Sequence, residues 1–138
     1  MINFEQFKTK AEVIEYLKTN KDIYCQTNVQ VEKYLREHLP KECYYQDKII
    51  KRLRELIPTS FVWKAAAGPY SRQGIPDICA VINGKYYGFE VKRPFIGVLS
   101  KMQEQTIKQI QQAGGKAYVV TYPSEVTEIL QEEIGGIK

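Results

Sequence analysis

One dipeptide constrains this chain more than any other. Asn83-Gly84 stands between two apolar runs, residues 77–82 and 85–92. A two-residue hairpin turn of type I′ needs positive φ at both central positions, which asparagine and glycine tolerate. With that turn Ile82 faces Lys85, and the pairing runs outward until Asp77 faces Glu90. Opposed residues of an antiparallel ladder share a face, with Cβ atoms about 4.5–5.5 Å apart. Lys92, two residues beyond Glu90, lies on that face too. Two opposed carboxylates cost stability unless a cation sits between them. Carboxylate oxygens suit a hard divalent ion such as Mg2+, which keeps several waters and takes substrate phosphate as a further ligand. A lysine alongside holds an attacking water or stabilises charge on a phosphate. The competing reading makes Asp77 and Lys92 a loose surface ion pair at strand ends. Three such residues at one register argue against it.

The rest of the chain supplies a scaffold for this hairpin. Phe4, Phe7, Ala11, Ile14 and Leu17 recur at helical spacing, so 4–18 reads as one amphipathic helix, with Thr9 and Glu12, which match a capping box, as the alternative start. Thr27 and Gln30 repeat that signal ahead of Val31, Tyr34, Leu35 and Leu39, and Pro40 ends the run. Residues 1–40 are thus expected as an N-terminal helical extension, and 41–138 as the core of a single compact protein. The extension either covers the core or serves as a docking or DNA-contacting element. Tyr45, Ile49, Ile50, Leu53, Leu56 and Ile57 form a helical stripe closed by Pro58. Residues 61–66 read as a strand and 68–74 as a loop. After the hairpin, Ser100 opens a helix to about Ala113, ended by Gly114-Gly115. Residues 116–122 read as a short buried strand, and Pro123-Ser124 opens a last helix to about Ile134. The order implies an α/β protein, a mixed central sheet of about four strands flanked by helices.

Composition narrows the function classes. No apolar run approaches the roughly 18 residues of a transmembrane helix, and MINFEQFKTK lacks the layout of a secretory signal. A cytoplasmic protein with no membrane partner is therefore expected. Cys25, Cys43 and Cys79 are scattered and His38 is the only histidine, which disfavours both a structural zinc site and a disulfide framework. The net charge of +4 is unevenly spread. Residues 1–40 hold six basic and six acidic side chains, whereas 41–101 hold eleven basic against five acidic. A basic surplus around a candidate phosphate-handling site points to nucleic acid. Lys64, Arg72, Arg93 and Lys101 flank the site in sequence and are the candidate phosphate contacts.

Gly74-Ile75-Pro76-Asp77 followed by Phe89-Glu90-Val91-Lys92 resembles the signature of the PD-(D/E)XK nucleases. It is most similar to the virus-type replication-repair branch, VRR-Nuc. That branch also carries a serine-to-glutamine helix start, here Ser100-Lys101-Met102-Gln103, and a Gly-Gly-Lys before a strand, here Gly114-Gly115-Lys116. The resemblance spans about residues 42–122. It implies a restriction-endonuclease-like core, with Asp77, Glu90 and the Val91 backbone carbonyl as metal ligands. It implies Lys92 as the catalytic lysine and Gln103 as the helix glutamine near the site. Ser100-x-x-Gln103 is also a capping box, so Gln103 has two readings from sequence. The chain departs from the pattern at Gln46, where the branch usually carries a glutamate on the first helix. Glu42, one turn earlier, is a less favoured substitute.

The resemblance implies a DNA endonuclease using Mg2+, with Mn2+ as substitute and no small-molecule cofactor. Its substrate would be branched or duplex DNA. Small stand-alone members resemble Holliday-junction resolvases, and a two-fold symmetric junction implies a homodimer. The rivals are a restriction-type or general nuclease, a catalytically weakened DNA-binding module of the same fold, suggested by Gln46, and an interaction subunit docking through residues 1–40.

Overall fold

A computed structural model describes residues 2–66 and 68–136. The chain packs as two units. The first comprises the chain up to Pro40 together with Arg93–Gly97; the second comprises Lys41–Lys92 and the chain from Val98 onward. The short segment Arg93–Gly97, placed in the core by its sequence position, thus joins the N-terminal helices instead.

In the first unit the expected helix over 4–18 is divided. Phe4–Gln6 forms a 3-10 turn, and α1 (Lys10–Thr19) starts afresh at Thr9. The Thr9 hydroxyl accepts from the Glu12 amide at 3.2 Å, so the cap competes successfully with a continuous helix. Helix α2 (Asn28–His38) opens on the full capping box of Thr27 and Gln30. Val13 and Leu17 of α1 are buried with Val31 and Leu35 of α2, and Phe95 and Ile96 pack against them. Arg93 holds the end of α2. Its Nη2 donates to the carbonyls of Leu35 (3.3 Å), Arg36 (3.0 Å) and Leu39 (2.9 Å), and its Nε to that of Pro40 (3.1 Å). The last carbonyls of a helix have no amide partner within it, and a cation there satisfies them and opposes the helix dipole.

The second unit is built on a four-stranded sheet in the order β1-β2-β3-β4. Helix α3 (Glu42–Leu56) leads into β1 (Phe61–Lys64), followed by β2 (Ile78–Ile82), β3 (Lys85–Val91), α4 (Lys101–Gln112), β4 (Lys116–Val120) and α5 (Pro123–Glu133). The strands are shorter than expected at their ends. The chain beyond Lys64 enters the loop toward Gly74, and Tyr122 leaves the sheet to cap α5. Strand β1 is antiparallel to β2 and β2 to β3, whereas β4 runs parallel to β3. Asn83 (φ 52°) and Gly84 (φ 79°) both have positive φ, as the two-residue turn requires, and Ile82 pairs with Lys85.

The sheet alternates cleanly. Ile78, Ala80 and Ile82 of β2 and Tyr87, Phe89 and Val91 of β3 face Tyr45, Ile49 and Leu53 of α3 and Val126 and Leu130 of α5 in one core. A fully buried aliphatic side chain of this kind contributes about 1.5–3 kcal/mol. The opposite face carries Cys79, Tyr86, Gly88 and Glu90, and α4 lies over it. There Gly115 admits Ile110, whose Cγ2 would come within 2.8 Å of any Cβ at that position. The helices of the second unit thus cover both faces of one mixed sheet. No helix among the described residues is long and apolar enough to cross a membrane.

Candidate active site

Asp77 is placed by the residues before it. Gly74 has φ +82°, and a Cβ there would come within 2.8 Å of Thr106 Oγ1 and 2.9 Å of Met102 Cγ. Only glycine lets the loop turn against α4 in this way. Pro76 then rests on Gly88, where an added Cβ would meet Pro76 Cγ at 2.8 Å. The chain enters the sheet at Asp77, one residue before β2 begins. The Asp77 carbonyl accepts from the Ala65 amide at 2.8 Å, and its carboxylate Oδ2 accepts from the Val91 amide at 2.9 Å. Asp77 is therefore tied to the chain on both sides. It occupies the position facing Glu90 that the Ile78–Phe89 pairing dictates.

Glu90 is 1% exposed and lies under the first turns of α4. Gln103 Nε2 donates to Glu90 Oε1 at 2.7 Å, and Lys92 Nζ lies 3.8 Å from the same oxygen. The other oxygen, Oε2, is buried and has no hydrogen-bond partner unless a proton is shared with Asp77. Burial pushes the Glu90 carboxyl up to about 8, helped by the Asp77 charge, with Lys92 opposing. A buried carboxylate deprived of partners at one oxygen is expensive, and here the open oxygen is on the face shared with Asp77.

Gln103 both caps α4 and donates to Glu90. Its Oε1 accepts from the Ser100 amide at 2.9 Å, while the Ser100 hydroxyl accepts from the Gln103 amide at 3.1 Å. A backbone N–H can only donate, so the side-chain oxygen must face Ser100, and the NH2 end is left for Glu90. The cap therefore aims the donor.

The basic candidates separate. Arg72 is exposed on the loop beside the site, with Nη2 3.3 Å from Gln109 Oε1, and together with Asp77 and Gln103 it lines a pocket of about 280 Å3. Lys101 is exposed in the first turn of α4. Lys64 does not join them. It pairs with Ile78 in the sheet, so it shares the face of α3, where Nζ lies 3.1 Å from Asp47 Oδ1. Its proximity in sequence was misleading, because side chains alternate across a strand. Arg93 is likewise not available as first expected, since its guanidinium closes α2.

On α3, Gln46 Nε2 donates to Glu42 Oε1 at 3.4 Å. Glu42 also raises the Glu90 carboxyl through its charge, which places its field at the site. In sequence Glu42 is the less favoured of the two positions. The one signal available was its position a turn before Gln46.

Among the described residues no three Cys, His, Asp or Glu side chains gather as a metal cluster. The side-chain donors brought together are the carboxylates of Asp77 and Glu90, to which the resemblance adds the Val91 carbonyl. They fit a small hard cation that keeps waters and takes phosphate oxygens, and they do not fit a closed structural site. The orphaned Glu90 Oε2 is the particular atom that such an ion would satisfy. In that setting Asp77, Glu90 and the Val91 carbonyl would hold the ion.

Two substitutions separate the cap from the site. Ser100→Ala and Gln103→Ala should each cost about 1 kcal/mol in urea unfolding. Only Gln103→Ala should also weaken divalent-cation binding, by about tenfold, because it strips the donor from Glu90. Equal cation affinity in the two variants would reduce Gln103 to a cap.

The core is a mixed sheet with helices on both faces and two carboxylates at an opposed register. No family model matches the chain, and no curated protein matches it. A solved structure described as a "VRR_NUC domain" is similar, with a TM-score of 0.54 and 22% identity over 67% of this chain and 96% of that chain. The core thus has the VRR-Nuc domain fold.

Proposed function

We propose that this protein is a metal-dependent DNA endonuclease that hydrolyses phosphodiester bonds at Asp77, Glu90 and Lys92. The observation carrying this reading is the convergence on one sheet face of Asp77, Lys92 and a buried Glu90 whose second oxygen lacks a partner. Stability alone gives no reason to bury such a group. In the reaction a water oxygen bonds to phosphorus, one P–O ester bond breaks, and the leaving sugar oxygen takes up a proton. Asp77 and Glu90 would hold Mg2+, or Mn2+ in its place; the bound ion would polarise the phosphate and lower the pKa of a bound water. Lys92 orients the attacking water or neutralises a phosphate oxygen. Gln103 keeps Glu90 in place. Arg72 and Lys101 supply phosphate contacts, with affinity that falls steeply as salt rises. The resemblance favours branched DNA and a homodimer with two sites.

Gln46, in place of a charged residue on α3, motivates the second reading, a DNA-binding module with little turnover. One experiment decides between them. The protein is incubated with Mg2+ or Mn2+ and single-stranded, duplex, flap and four-way-junction DNAs. Metal-dependent cleavage, strongest on a branched DNA, is expected. Binding without cleavage by both parent and Gln46→Glu would favour the binding module. Salt-independent binding would remove DNA as the partner.

A further inference from the structure

Beside the carboxylates a cleft of about 660 Å3 opens on the same face of the sheet. Its walls are Trp63, Ala66, Ile75, Cys79, Tyr86 and Ile110, with Ser71 and Arg72 as its polar members and, among the described residues, no acidic one. The volume is within the range of small-ligand sites, as is the mostly apolar lining with few polar groups. The Tyr86 hydroxyl donates to the Cys79 sulphur at 3.2 Å, so its polar end is already engaged.

Two further observations say what enters. First, the cleft shares Ala65, Ala66, Ser71, Arg72 and Ile75 with the 280 Å3 pocket that reaches Asp77 and Gln103, so the two adjoin. Whatever fills the cleft is adjacent to the phosphate held at the carboxylates. Second, Trp63 is 38% exposed and lies 5.3 Å, ring centre to ring centre, from Phe61, itself 67% exposed. Two large aromatic rings are thus left open to solvent on the edge strand β1, next to the loop that carries Arg72.

We propose that this cleft binds an unpaired nucleobase of the cleaved strand, stacked against Trp63, with Arg72 on the adjoining phosphate. The inference rests on the nuclease reading for the position of the scissile phosphate. A base has an apolar face that stacks on aromatic rings, and its own chain supplies the anion that Arg72 meets. A base inside a duplex cannot enter, because its faces are stacked and its edge is paired. The substrate class is therefore DNA with an unpaired nucleotide next to the cut: a flap, an overhang or an opened branch point.

Trp63 is the sole tryptophan in the sequence, so its fluorescence reports on the cleft directly. The protein is titrated in Ca2+ with a blunt duplex, a flapped duplex of equal length and a single strand. The flap and the single strand should quench Trp63 saturably, and the blunt duplex should not. Trp63→Ala should weaken flap binding about tenfold, and Trp63→Phe should retain most of it. Ala113→Leu, at an exposed position on the cleft wall, should block the quench while leaving Trp63 in place. Equal affinity of parent and Trp63→Ala for the flap, or no quench by any DNA, overturns the proposal. Emission that shifts with protein concentration alone would assign the cleft to a second copy of the chain and overturn it equally. Cleavage in Mg2+ and in Mn2+ is scored separately. Cutting without a quench leaves the nuclease reading standing and removes the base site. A flap-specific quench with no cleavage in either metal does the reverse.

Discussion

Asp77→Asn and Glu90→Gln should each lower strand cleavage by about a thousandfold while changing DNA affinity in Ca2+ by less than a few-fold. Both substitutions preserve shape. An asparagine at 77 can still accept from the Val91 amide, and a glutamine at 90 can still accept from Gln103. The lost quantity is negative charge on oxygens facing one another, and with it the cation. Losing the electrostatic contribution of a bound metal removes several kcal/mol from transition-state stabilisation, which at about 1.4 kcal/mol per decade is about three decades. Affinity depends instead on basic side chains and is expected to hold, or to tighten as repulsion from phosphate falls. Lys92→Ala should cost about a hundredfold, because it removes one charge acting on the same phosphate without removing the ion. The readout is single-turnover cleavage beside a binding isotherm. Undiminished cleavage by Asp77→Asn would show that chemistry happens elsewhere.

The second large effect is on pH dependence. In the metal-free fold the Glu90 carboxyl is raised from the ordinary carboxylate range, 4.5, to about 8, chiefly by burial. A raised carboxyl means that the fold prefers the protonated form. The corresponding stability is complete below about pH 4.5 and is lost progressively as pH rises through 8. With a chelator present the unfolding free energy should therefore fall by a few kcal/mol across that window. A divalent ion must displace this proton, so its affinity should rise about tenfold per pH unit up to about pH 8 and then level off. Glu90→Gln should flatten both curves. Urea unfolding at a series of pH values, with chelator and with Mn2+, makes the measurement. A metal-free profile as steep in Glu90→Gln as in the parent would assign the dependence to other groups.

Local features of the chain were legible wherever a short-range rule governs. The Asn83-Gly84 turn set the whole Asp77–Glu90 register, since an antiparallel ladder propagates one turn without ambiguity. Thr9, Thr27 and Ser100 announced three helix starts, because a cap involves atoms three residues apart. The order of elements implied a mixed sheet of about four strands, and the sheet has four. The strand ends were less legible. Where pairing stops depends on where the neighbouring strand and the next cap pull the chain away, as at Tyr122.

What the sequence by itself determined was which carboxylates oppose each other, and it did so through backbone geometry over fewer than twenty residues. It also carried the Gly74 and Pro76 that deliver Asp77, although the reasons, contact with α4 and with Gly88, were visible only after folding. Tertiary structure alone decided how deeply Glu90 is buried, and hence the state of its carboxyl, because desolvation is set by α4 arriving from a separate part of the chain. It also decided that Gln103 is at once cap and donor, that Lys64 turns to the opposite face, and that Arg93 is spent on the carbonyls of α2. Each of these depends on what stands across a space from a side chain, and linear order does not specify that neighbour.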